Sequence, residues 1–230
     1  MKFTLPKLLL TLALMLFGLS SVHSQTLNWG SPFSPDFTSR LADSKGNALD
    51  DTFTFEIGTF KDGFTPEFSN AADWYTQWVA FDAASYNEST YDPATGYVTG
   101  SAQMSALGYS NSPDATSSTF SFAGLQAYLW VRNATGPDVN SEWALVRANS
   151  WTFPAADPNC CGSTLPVNWS VSDLSTETPI IGAQKGIEGS GSRQVFSPSS
   201  YIQTYTFVPE PSATLLLGMA ALLLARRRRD

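Results

Sequence analysis

Two cysteines, one histidine and a surplus of carboxylates are the reactive groups of this 230-residue chain. The histidine, His23, closes an apolar leader, so a chain without that leader has none. That excludes Ser-His-Asp and Cys-His nucleophilic mechanisms, together with His-ligated zinc or haem. Lys2, Lys7 and Arg226–Arg229 take six of the 13 basic residues, and Glu210 and Asp230 take two of the 20 acidic ones. Residues 25–209 therefore hold 7 basic against 18 acidic side chains, a net −11. An acidic segment with no Lys/Arg cluster argues against nucleic acid as a partner.

Acid–base work without histidine falls to carboxylates, and a glycosidase needs two of them about 5–10 Å apart. Glu56 and Glu142 stand inside apolar, strand-like runs where acidic residues are unexpected, so they form the pair to examine. No motif surrounds either, and a solvated or Ser/Thr-bonded carboxylate is the simpler reading. "DSKGNALDD" gathers Asp43, Asn47, Asp50 and Asp51 around Gly46, oxygen donors of the kind Ca²⁺ takes. Lys45 stands where a calcium loop wants Asp or Asn, and an Asx-rich turn before a strand accounts for the stretch equally well. No metal or other cofactor is expected.

Cys160 and Cys161 are adjacent in "DPNCCGS". An oxidising compartment favours a bond between them. Adjacent Cα atoms about 3.8 Å apart lie below the usual disulfide spacing, which strains the ring. A vicinal disulfide, free thiols and bridges to a partner are the alternatives.

The elements that must position these groups read mostly as strands. "TFTFEIG" puts Phe53, Phe55 and Ile57 on one face and Thr52, Thr54 and Glu56 on the other. "QAYLWVR" (126–132) and "EWALVRA" (142–148) flank a turn-rich connector and predict a hairpin with a long loop. "YVTGSAQM" (97–104), "STFSF" (118–122) and "YIQTYTFV" (201–208) predict three more strands. One helix is expected in "SNAADWYTQWVAF", with Ser69 or Asn70 as N-cap and Trp74 and Trp78 four residues apart. The fold class expected is all-β: one β-sandwich of jelly-roll type over residues 25–207, with one short helix. Trp130, Trp143, Trp151 and Trp169 lie in or beside strands. They serve either as core or, on an exposed sheet face, as platforms for sugar rings.

Both ends read as addresses. Residues 1–24 have a basic start (Lys2, Lys7), the apolar run Leu8–Leu19 and small residues before a cut expected between Ser24 and Gln25, the pattern of a secretory signal peptide. At the other end Val208, Pro209, Glu210, Pro211 and Ser212 precede an apolar segment, 213–225, and the block Arg226, Arg227, Arg228 and Arg229. Thirteen residues rise about 20 Å as a helix, short of the roughly 30 Å hydrocarbon core, a gap that snorkelling arginines and local thinning can cover. The arginine block should stay cytoplasmic, which puts residues 25–209 outside the inner membrane.

This tripartite tail, residues 208–230, resembles the PEP-CTERM sorting signal of exported bacterial proteins. The resemblance implies an exosortase-type membrane processing enzyme as partner, the inner membrane through the helix 213–225, and extracellular polysaccharide as a further candidate. It also implies a Gram-negative host that makes extracellular polysaccharide, and a route from membrane anchor to cell surface or matrix. Phrases of the middle segment such as "EWALVRANSWTFP" resemble other exported proteins of this kind, which transfers location and no active site. The expected function is that of a non-enzymatic structural or adhesive component of the envelope or extracellular matrix. The alternatives are a carbohydrate-binding module using exposed Trp/Tyr, and a carboxylate-dependent glycosidase.

Overall fold

The computed structural model describes residues 24–31, 40–86, 90–157, 165–174, 178–184, 186–189 and 202–208. Among them the chain forms β1 (Ser24–Gly30), β2 (Leu41–Ala42), β3 (Thr54–Phe60) and a 3₁₀ turn, Phe68–Asp73, that runs into α1 (Trp74–Gln77). Then come β4 (Trp78–Ala84), β5 (Tyr91–Asp92), β6 (Tyr97–Ser105), β7 (Tyr128–Arg132) and β8 (Glu142–Val146). β9 (Val167–Ser170), a 3₁₀ turn at Val171–Asp173, β10 (Ala183–Gln184), β11 (Ile187–Glu188), β12 (Ile202–Gln203) and β13 (Tyr205–Thr206) complete the order. Among the described residues the fold is all-β with one short helix. Its three sheets run β5-β6-β1-β9, β11-β10-β12-β2 and β13-β8-β7-β3-β4.

The five-stranded sheet is apolar on both faces. β7 and β8 are continuous apolar runs because neither side of them meets water: every residue of β7 is buried, as are Trp143–Val146 of β8. On one face Phe55, Ile57, Phe81, Leu129, Val131, Ala144 and Val146 join Leu27, Trp29, Val98, Met104 and Trp169 of the β6-β1-β9 strands in one cluster. On the other face Trp78, Trp130, Trp143, Leu145 and Tyr205 pack with Trp74 of α1. Trp130 meets Trp74, Trp78 and Trp143 at ring-centroid distances of 6.1, 5.3 and 5.1 Å, each edge to face. Such pairings add to area burial because ring edges are positive and faces negative.

A bulge in β4 couples the sheets. Gly58 of β3 stands opposite Ala80 and Ile57 opposite Asp82, so Phe81 has no partner across the pair. The extra residue reverses the alternation, and Phe81 and Asp82 both turn toward the first cluster. Gly58 permits the close approach, since a Cβ there would lie 2.3 Å from the Val79 carbonyl oxygen.

Several expected elements differ. The helix ends at Gln77, and Trp78 is already extended (φ −73°, ψ 142°) because the apolar run that follows pairs with β3. Trp74 and Trp78 still reach one cluster, by a helix-to-strand corner instead of one helix face. Residues 118–122 form no strand. Ser117 Oγ accepts from the Thr119 amide in a local turn, and only Ser121 bridges, to Tyr109. Phe122 is nevertheless fully buried against Phe81 and Phe153. The run 201–208 divides at Thr204, with Ile202–Gln203 pairing β10 and β2 and Tyr205–Thr206 pairing β8.

Candidate functional site

The sheet β5-β6-β1-β9 contrasts with the five-stranded one by alternating along most of its length. β1 buries Leu27 and Trp29 while Ser24, Thr26 and Asn28 point to the opposite face. β6 buries Val98, Ala102 and Met104 and exposes Thr99, Ser101 and Gln103. β9 buries Trp169 and exposes Asn168. The outer face of these three strands carries hydroxyls and amides and no charge. The register places Asn28 opposite Ser101 and beside Asn168. A hydrogen-bonded row results: Ser101 Oγ donates to Asn28 Oδ1 (2.8 Å), and Asn28 Nδ2 donates to Asn168 Oδ1 (2.8 Å). Asn168 Nδ2 then donates to the Pro166 carbonyl (3.3 Å).

Two recesses meet on this sheet at Thr90, Gly100 and Ser101. One, of about 380 Å³, is bordered by Asn28, Thr99, Asn168 and Ser170 and also by Trp29 and Trp169. The other, of about 500 Å³, is bordered by Thr26, Gln103, Asn111, Ser112, Asp82 and Asp114. Asp82 is the one buried carboxylate there. It accepts from Trp29 Nε1 (2.7 Å) and from Ser112 Oγ (2.6 Å). Burial raises its pKa above the ordinary 3.8, outweighing these hydrogen bonds, and the nearby Asp114 carboxylate adds to the rise. Gly100 permits the link between sheets, because a Cβ there would lie 2.1 Å from the Trp29 indole. The face can bind through neutral hydrogen-bonding groups, and no nucleophile–base pair stands on it.

The carboxylates singled out from sequence are not brought together. Glu56 faces the second cluster, in register with Trp130. It accepts from Arg132 Nη2 at 2.6 Å, and that guanidinium lies over the Trp130 and Tyr75 rings (4.9 and 5.2 Å). Glu142 falls in step with Ala144 and Val146, on the other face of the same sheet. Its carboxylate accepts from the Ser44 amide (3.0 Å) and from the hydroxyls of Ser44, Thr204 and Thr206 (2.9, 2.5 and 3.1 Å). Each carboxylate is thus a structural tie. Asp43 and Asp50 cap their own turns, accepting from the amides of Lys45 and Asn47 and of Thr52 respectively. Among the described residues no group of three or more His, Cys, Asp or Glu could hold a metal ion.

All seven tryptophans are buried, none more than 5 % exposed. Trp130, Trp143, Trp151 and Trp169 are core, so no sugar platform is made of them. Ser24 and Gln25, flanking the expected cut, open β1 opposite Ser105 and Met104. Val208 is half-exposed at the end of the last described stretch. Pro209–Ser212, the apolar segment 213–225, Arg226–Arg229, Cys160, Cys161 and His23 lie outside the described residues. Among the described residues no helix is long and apolar enough to cross a membrane. The neutral face itself escaped the sequence reading. Its signal was the alternation in "SQTLNWG" and "TGSAQMS", where small polar residues occupy every second position.

No protein-family model, curated protein or solved structure matches the chain.

Proposed function

We propose that the chain is an exported protein of the bacterial envelope or extracellular matrix, sorted by a PEP-CTERM tail and acting as a non-enzymatic structural or adhesive component. The observation that carries this reading is the ordered combination in residues 208–230: Pro209-Glu210-Pro211, thirteen apolar residues and four arginines. Prolines keep the motif extended and stop the helix growing backward, which leaves it accessible to a processing enzyme at the membrane surface. The arginine block and the basic start of the leader demand the same orientation. A cut between Ser24 and Gln25 removes only the first residue of β1 and leaves Trp29 and the polar row intact. The ties made by Glu56 and Glu142 favour this reading over a glycosidase built on that pair.

The body is a β-sandwich of jelly-roll type on this reading, supported by the cluster that draws Phe55 and Val131 together with Leu27 and Trp29. For Cys160 and Cys161 an oxidising exterior favours a vicinal disulfide, and thiol titration of the unreduced protein should find none free. The sorting reading is tested by replacing Pro209, Glu210 and Pro211 with alanine in the producing cell. The variant should accumulate in the inner membrane while the unmodified chain reaches the surface. Equal surface delivery of both would remove the motif from the account.

A further inference from the structure

We infer that the outer face of β6-β1-β9 is a binding surface for a neutral, hydroxyl-rich polymer, that is, an uncharged polysaccharide. Soluble surfaces ordinarily intersperse charges at about a quarter to a third of positions. This chain has 18 acidic residues between 25 and 209, yet the outward positions of these three strands hold none. Asn28, Ser101, Gln103 and Asn168 present groups that both donate and accept, as sugar hydroxyls do. Phosphate, sulfate and uronate call for Arg or Lys, which are absent from this face, and Asp82 and Asp114 repel them from the adjoining recess. An apolar peptide finds no large exposed side chain on these strands.

The surface is also concave and pre-ordered. Its two recesses, about 380 and 500 Å³, join at Ser101 and each fall in the range of about 300–1,000 Å³ usual for small-molecule subsites. The row Ser101–Asn28–Asn168 fixes two amides before any ligand arrives, which reduces the ordering cost of binding. Trp29 and Trp169, paired directly across β1 and β9, back the row from the core side. The inference deepens the export reading by naming a partner class for the exposed body. Its assay uses purified protein, so binding can fail while tail sorting stands, and the reverse.

The test is affinity electrophoresis of the full-length chain, held in detergent micelles, through gels carrying dextran, hydroxyethyl cellulose, galactomannan or alginate. Retardation by at least one of the three neutral polymers is expected, with none by alginate. Joint Asn28→Ala and Asn168→Ala replacement should weaken retention about tenfold, the loss of roughly one net hydrogen bond. Ser101→Leu should abolish it by filling the junction of the recesses and removing a hydroxyl of the row. Tryptophan fluorescence reports the fold of each variant, and Thr99→Leu, at the border of the first recess, supplies the same blocking test should Ser101→Leu lower the melting temperature. Retention by none of the neutral polymers, equal retention by alginate, or unchanged binding of the folded blocking variants would overturn the inference.

Discussion

The two larger sheets of this molecule solve opposite problems with similar lengths of strand. β7 and β8 are closed to water on both faces, and their sequences, "YLWVR" and "EWALV", are almost unbroken apolar runs. β1 and β6 are buried on one face only, and their sequences alternate. The difference teaches where each sheet can bear function. In the doubly covered sheet both carboxylates are tied, Glu56 to Arg132 and Glu142 to three hydroxyls. On the half-open sheet polar groups cost little, so their uniform neutrality needs a reason beyond folding.

The contrast can be broken first at Trp130, fully buried and touching three other indoles. Trp130→Ala should cost about 3–5 kcal/mol, read by chemical denaturation, and leave little folded protein at 37 °C. A loss below about 1 kcal/mol would mean that the second cluster is not a core. Next comes Glu56→Gln, which leaves the largely buried Arg132 charge without its counter-ion. A loss of about 1–3 kcal/mol is expected, within the range for a buried group deprived of its partner.

Asp82→Asn sharpens the link between the sheets through pH. Because burial raises the folded-state pKa of Asp82, the folded protein binds a proton more tightly than the unfolded chain. That contribution is fully present below the ordinary value of 3.8 and is lost as pH rises through the elevated one. The variant, which cannot ionise, should therefore melt progressively higher relative to the unmodified protein as pH climbs from 3.8 through the elevated pKa, and by a constant margin above it. An opposite trend in differential melting would place Asp82 in a charge-stabilising site. The smallest effect belongs to Asn168→Ala on the outer face, expected to change stability by no more than about 0.5 kcal/mol. A large loss there would make the polar row a folding device.

Periodicity made much of this architecture legible. Phe53, Phe55 and Ile57 share a cluster as their alternation implies, and β7 and β8 pair across a long loop. What could not be read were the events that tertiary pairing decides. Trp78 leaves the helix because β3 offers a partner, Phe81 is bulged, and the run 201–208 changes sheets at Thr204. Period-2 alternation in β1 was present but was overshadowed by the leader before it. The candidate surface was least legible, since Asn28, Ser101 and Asn168 are ordinary polar residues until three separate strands align them. The core role of the indoles was legible. Their flatness suits sugars, but a chain poor in leucine between its ends uses them as core.

The central claim, an exported body released from an N-terminal leader and a C-terminal sorting tail, is tested most directly by the intact mass of the protein recovered from the cell surface or matrix. The recovered chain should begin at Gln25 and end before the apolar segment 213–225. A recovered chain that runs to Asp230 would contradict it.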